Sequence, residues 1–114
     1  MKILLSTVLA GLFSINAFAA DDASVVLAMK DGRFEPARLV LPAGVKLRLI
    51  LRNQDAMPAE FESADLSREV VVPGKRDVAI FIGPLEAGSY QFFNDFNRQM
   101  QGTIVAQPSA GKGN

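Results

Sequence analysis

The sequence predicts an all-β fold, a two-sheet sandwich of about seven strands forming one domain. Three observations carry that expectation. Apolar residues repeat with period two, with no helical period long enough to compete. Gly and Pro recur between those runs, where strands must turn. The chain has 114 residues, a length for a single domain.

The first element is not expected to fold. Lys2 is a short positive n-region, Ile3 to Ile15 an apolar stretch, and Ala17-Phe18-Ala19 a small-residue cleavage motif ahead of Ala20, Asp21 and Asp22. This is the pattern of a Sec-type signal peptide over residues 1–19, so export is expected. Ser6, Ser14 and Asn16 interrupt a stretch already short for a bilayer span. No lipid anchor is expected, because the chain has no Cys to accept one. The domain then runs over residues 20–106, and Gln107 to Asn114, with its Pro, Ser, Gly and Lys, is expected to be a disordered tail.

Within the domain the clearest strand is Val45 to Arg52. Val45, Leu47, Leu49 and Leu51 fall on one face and Lys46, Arg48 and Arg52 on the other, with Ile50 out of place. Val25, Leu27 and Met29 alternate in an earlier run, and Val78, Ile80 and Ile82 in a later one. Arg68 to Val72, Ser89 to Phe93 and Gly102 to Ala106 add β-branched and aromatic segments. Asp31-Gly32, Pro42-Ala43-Gly44, Pro73-Gly74-Lys75 and Ala87-Gly88-Ser89 supply the turns. Asn53 to Ser67 is too long for a hairpin loop and reads as a crossover between sheets, with one helical turn near Ala64 to Arg68.

Composition closes several function classes. Twelve basic and twelve acidic residues give a net charge of zero, which offers no field for nucleic acid. With no Cys and no His there is no disulfide, no thiolate or imidazole ligand, and no imidazole base. No Gly-x-Ser-x-Gly elbow follows the leader, and a sandwich of this size has little room for a substrate cleft, so a hydrolase is not expected.

The opening half of the domain carries Phe34-Glu35-Pro36, then Leu39-Val40-Leu41-Pro42-Ala43-Gly44, then the alternating strand ending in Asn53. The closing half carries Pro73-Gly74, Gly83-Pro84-Leu85, Gly88-Ser89-Tyr90-Gln91-Phe92 and Met100-Gln101-Gly102-Thr103-Ile104-Val105. In this order the residues resemble small cupredoxin-like domains. The resemblance implies a Greek-key sandwich with a metal site between the loop joining the last two strands and an earlier loop. In copper-carrying members the ligands are two His, a Cys and a Met. Here Asn94 stands at the Cys position, Asn97 at the second His and Met100 at the Met, while the first His position falls on Ala59 or Glu60. A blue-copper site needs a thiolate and two imidazoles, so this chain is not expected to be a blue-copper electron carrier.

Ala59-Glu60-Phe61-Glu62-Ser63, Leu66 to Gly74 and Phe92 to Asn97 are similar to the EfeO-type domains and to small periplasmic proteins of bacterial iron import. That likeness implies periplasmic handling of iron, or of copper in support of iron oxidation. It also implies an iron permease or a periplasmic iron-binding protein as partner, and at most assistance in iron oxidation as enzymatic role.

Read from the residues themselves, Glu60 and Glu62 are spaced by two, so an extended segment aims both carboxylates one way and turns Phe61 into the core. Asp95 can approach from the neighbouring loop. With Met100 these make the candidate metal ligands Glu60, Glu62, Asp95 and Met100, the carboxylates suiting a hard ion such as Fe(III). The competing reading is a solvated strand face. Met57 and Met100 offer thioethers to Cu(I), against the ordinary use of Met as a core gap-filler. A second function class stands beside metal handling: a metal-free module that docks a partner through Phe93 and Phe96.

Overall fold

The computed structural model describes residues 23–108. The expected leader and all of the expected tail beyond Pro108 lie outside the described residues. Nine strands form among the described residues, rather than about seven: β1 Ala23–Lys30, β2 Arg33–Glu35, β3 Arg38–Pro42, β4 Leu47–Asn53, β5 Ala59–Ser63, β6 Arg68–Val72, β7 Arg76–Ile82, β8 Gly88–Asn94 and β9 Asn97–Gln107. They build a five-stranded sheet, in the order β3-β9-β8-β5-β6, and a four-stranded sheet, β2-β1-β4-β7. Non-consecutive neighbours in both sheets give the Greek-key crossovers, including two parallel pairs, β1 with β4 and β3 with β9.

The period-two pattern sets which face is core. In β4, Leu47, Leu49, Leu51 and Asn53 are buried while Arg48 is exposed and Ile50 and Arg52 are half-buried. Val45 precedes the strand and is exposed. The inward residues of the two sheets meet around Leu27, Leu49, Phe61, Phe92 and Ile104, all within 1% of complete burial. Phe92 ties the layers together. Its ring stacks on Phe61 of the same sheet at 5.2 Å and receives Phe34 of the other sheet edge-on at 4.8 Å, both favourable aromatic geometries.

Asp31-Gly32 is a two-residue hairpin loop between the paired Lys30 and Arg33, with φ of 55° and 72°. Positive φ at both positions is the type I′ turn, which Asp-Gly favours because Gly lacks the Cβ penalty and Asp tolerates the left-handed region. The long connection does cross between sheets, from β4 to β5, but it contains β5 itself, which accounts for part of the surplus in strands. The helical turn expected near Ala64 to Arg68 is instead a β-turn. Ser67 donates its N–H to the Ala64 carbonyl at 3.2 Å, and Leu66 donates to the Ser63 hydroxyl at 3.1 Å. At the far end β9 runs through Gln107, whose carbonyl accepts the Ala43 N–H at 2.7 Å, so that residue belongs to the sheet and not to a tail.

Candidate functional site

The β8–β9 hairpin, the β5 strand and the β4–β5 connection come together at one end of the sandwich. Side chains alternate across β5 and β8, so this end presents two separate groups, one on the outer surface of the five-stranded sheet and one facing inward. Ala59, Phe61 and Asn94 are buried; Glu60, Glu62 and Phe93 are half-buried on the opposite face.

On the outer face the three carboxylates of Glu60, Glu62 and Asp95 each place an oxygen within 4.8 Å of the others. Backbone hydrogen bonds hold Asp95 there. The hairpin turns in two residues, Asp95 and Phe96, between the paired Asn94 and Asn97, and Asp95 donates its N–H to the Glu60 carbonyl at 2.8 Å. Glu69 joins from β6, where it is the direct cross-strand partner of Glu62. The Glu60 carboxyl is held above the usual carboxylate range, first by loss of surrounding water, then by a hydrogen bond and charge repulsion from Glu69, and further by Asp95 and Glu62.

Arg98 supplies positive charge at the edge of this group. Its Nη2 lies 2.6 Å from Asp95 Oδ1, yet that oxygen, shielded from solvent, has no partner in hydrogen-bond geometry, so the contact is an ion pair without a directed N–H. The guanidinium also lies over the Phe93 ring, 5.0 Å from its centre. Phe93 is therefore half-buried beneath Arg98, while Phe96 is 55% exposed.

Met100 is not part of the carboxylate group. It is buried on the inner side, where its Sδ lies 3.4 Å from the Nδ2 donor of Asn94. The inner residues line an open pocket of about 330 Å³ whose walls include Met29, Asn53, Met57, Ala59, Asn94 and Met100. Asn94 is the hub of this end. Its Oδ1 accepts the N–H groups of Glu60 at 2.9 Å and Phe96 at 3.0 Å, fixing the hairpin tip to β5. Asn53 does the same for the β4–β5 connection. Its Nδ2 donates to the carbonyls of Met57 and Val72, and its Oδ1 accepts the Asp55 N–H. Asp55 in turn accepts the Asp31 and Gly32 N–H groups at 2.7 and 3.0 Å, which hold its carboxyl below the usual range.

The four positions assigned to ligands by the cupredoxin resemblance, read as Ala59, Asn94, Asn97 and Met100, all line this one pocket. Ala59 faces it and Glu60 points away, so the first position carries a methyl group. The donors present do not fit a blue-copper centre. The thiolate position holds a carboxamide already occupied by two N–H groups and a thioether, and the chain has no imidazole anywhere.

Sequence reasoning missed three residues of this end. Glu69 reads only as part of the Arg68 to Val72 strand, although an antiparallel β5–β6 hairpin with Glu60 and Glu62 in one strand places a Glu of the next strand beside them. Met29 and Asn53 read as ordinary ends of strands. The β1–β4 pairing that brings Met29 opposite Asn53 at the pocket is long-range and leaves no local signal.

Comparison with known proteins agrees with this architecture. A family model described as "Cupredoxin-like domain" matches residues 2–106. An uncharacterized protein of Rickettsia prowazekii (strain Madrid E) is 39% identical over 82 residues, covering 71% of this chain and 66% of the relative, so the match spans just under two thirds of that protein. Among solved structures, amicyanin from Paracoccus versutus superposes with a TM-score of 0.60 at 18% identity, covering 79% of this chain and 85% of that one. Auracyanin A, a blue copper protein from Chloroflexus aurantiacus, gives 0.64 at 16%, covering 75% and 99%. The metal-binding domain of the Cu(I)-exporting P-type ATPase of Streptococcus pneumoniae D39, solved with Cu(I), gives 0.63 at 14%, covering 74% and 84%. The sandwich, its ligand positions and the extent of the family match together establish that this chain belongs to the cupredoxin-like domain family.

Proposed function

We propose that this protein handles a metal ion through oxygen donors, in the periplasm and in the service of bacterial iron import, and does not carry electrons through a blue-copper centre. The observation that carries the proposal is the approach of the Glu60, Glu62 and Asp95 carboxylates to within 4.8 Å. Oxygen ligands sit about 2.0–2.6 Å from a hard cation, so two of them are at most about 4–5.2 Å apart, and the group needs little adjustment to close on an ion. Loss of surrounding water and then repulsion from Glu69, Asp95 and Glu62 raise the Glu60 carboxyl, and a bound cation relieves the repulsion. Iron in either common oxidation state accepts such donors, and copper would be held here without the chemistry of a thiolate site.

The resemblance of Ala59 to Ser63 and of Phe92 to Asn97 to EfeO-type domains supports iron as the cargo and an iron permease or periplasmic iron-binding protein as the recipient. The leader-like residues 1–19 support export. A metal-free docking module is the competing reading and draws on the exposed Phe96. It is weakened by Phe93, which lies under Arg98 and so leaves a single large aromatic on that surface.

Isothermal titration with Fe(II) under anaerobic conditions, with Mn(II) in parallel, tests the proposal. Binding that Glu60→Gln and Asp95→Asn each weaken is the expected result. Absence of heat with both ions, together with an unmoved melting temperature, overturns it and leaves the docking reading, for which Phe96→Asp should abolish partner binding without unfolding the domain.

A further inference from the structure

The alternation of β4 has one exception, Ile50, an apolar residue on the outer face of the four-stranded sheet with Arg48 and Arg52 on either side of it. The strand register shows what it joins. Ile50 is paired with Val26 of β1 and Ala79 of β7, so an apolar row crosses three strands of that face. Phe81 extends it two residues further along β7, where its partner is Arg48. The core does not use these side chains: Val26 is 36% exposed, Phe81 is 47% exposed and Ile50 is half-buried. Apolar residues exposed singly are ordinary, but these are direct neighbours and form one patch.

Positive charge frames the patch at both ends. Lys46 and Arg48 stand at Phe81, with the Lys46 Nζ 4.9 Å from the centre of the ring. Arg52 lies on the other side of the row, and beyond it Lys30 and Arg33 are direct partners across the β1–β2 hairpin. The strands place two acids on this face, Glu35 opposite Ala28 and Asp77, which pairs with Arg52 at 3.0 Å. Five basic groups thus meet two acidic ones. The outer face of the five-stranded sheet carries the Glu60, Glu62, Glu69 and Asp95 carboxylates, so a chain of zero net charge is polarised across its two layers.

We infer that the outer face of the four-stranded sheet docks on an anionic phospholipid surface, with Val26, Ile50 and Phe81 against the headgroup boundary and the five basic groups among the phosphates. Binding at a membrane surface combines apolar burial at the acyl boundary with attraction of Lys and Arg to anionic lipid, and this face supplies both. Long basic side chains lay their stems along apolar neighbours and keep their charges among the headgroups. At about 3.3 Å per residue, Arg48 and Lys30 stand about 20 Å apart along the strands. An extended negative surface meets both flanks at once, which a short acidic peptide does not. Docking in this way turns the carboxylates of the other layer toward solvent, and it holds whatever those carboxylates bind.

Co-sedimentation with vesicles tests this, using the chain from Ala20 onward, which retains all nine strands and lacks the leader-like residues. One set of vesicles is phosphatidylcholine and the other equal parts phosphatidylcholine and phosphatidylglycerol. The protein should pellet with the anionic set and stay in solution with the neutral one, and added salt should release it. Lys46→Glu and Arg48→Glu should each lower the partition by at least about fivefold, the contribution of one Lys or Arg near such a surface. The chain has no Trp, so Phe81→Trp is a lone reporter whose emission should shift to the blue with anionic vesicles, while Phe96→Trp at the loop end should keep its emission. All four positions are exposed, and melting temperatures check that each variant folds. The inference is overturned if anionic vesicles leave the protein in solution, if neutral vesicles take it equally, if Arg48→Glu binds as the wild type does, or if Phe96→Trp shifts in place of Phe81→Trp. Salt-sensitive pelleting without vesicles overturns it too, and makes the acidic layer of a second copy the occupant.

Discussion

Replacing Asn94 by Ala tests the account of how the functional end is held together. The side chain is 5% exposed and makes three contacts: its oxygen accepts the Glu60 and Phe96 N–H groups, and its nitrogen reaches the Met100 sulfur. Ala removes all three. Each ordinary hydrogen bond contributes about 0.5–1.5 kcal/mol net, and leaving a buried donor without an acceptor costs about 1–3 kcal/mol. Both backbone N–H groups are only partly buried, and water from the pocket can reach them, which places the total near 2 kcal/mol. For a domain of this size each kcal/mol lowers the melting temperature by roughly 4–8 °C, so a fall of about 8–16 °C is expected. Asn94→Asp retains the acceptor and should lose less than Asn94→Ala. Thermal and urea unfolding of the three proteins provide the assay. An Asn94→Ala protein within about 0.5 kcal/mol of wild type, the range of ordinary surface substitutions, would refute the reasoning, as would an Asn94→Asp protein as unstable as Asn94→Ala.

Three further outcomes follow from the same geometry. Gly102→Ala places a Cβ 2.4 Å from Phe92 Cζ and 2.8 Å from the Ala37 carbonyl, with Phe92 already packed between Phe34 and Phe61, so a loss of about 1–3 kcal/mol is expected in urea unfolding. Glu60→Gln should stabilise the metal-free protein at neutral pH. The folded-state pKa of Glu60 is raised, so the wild type's disadvantage is present above that pKa and fades as pH falls below the unfolded value; melting temperatures of the two proteins should converge in acid. Asp55→Ala should behave in the opposite sense. The folded-state pKa of Asp55 is lowered, so its stabilisation of the Asp31-Gly32 turn is present above the unfolded pKa and is lost as pH falls through the folded one, and the variant's deficit should shrink in acid.

What was legible in the sequence is what local chemistry determines. The alternation in β4 assigned Leu47, Leu49 and Leu51 to the core, and Asp31-Gly32 marked a tight turn because only a few residue pairs tolerate positive φ twice in succession. The spacing of Glu60 and Glu62 around Phe61 placed both carboxylates on one face, and the structure has Phe61 fully buried between them. The strand character of β5 was obscured by its two Glu residues and its lack of any β-branched residue, so it read as part of a connection. Its strand pairs with β6 and β8 come from tertiary pairing, which overrides that weak local preference. The separation of Met100 from the carboxylates has a similar origin. The β8–β9 hairpin turns at Asp95-Phe96 and then shifts register before Gln101, leaving Asp95 at the tip beside Glu60 and Met100 inside. A loop read as one continuous ligand-bearing segment thus serves two faces of a sheet.

The central claim, that Glu60, Glu62 and Asp95 take a hard cation, is tested most directly by adding paramagnetic Mn(II) to isotopically labelled protein. The account predicts that amide signals of Glu60 to Glu62, Glu69 and Asp95 to Arg98 broaden first, at ion concentrations below those affecting the remainder of the domain, and that Glu60→Gln suppresses the effect. Broadening spread evenly over surface acids, or centred elsewhere on the domain, would contradict it.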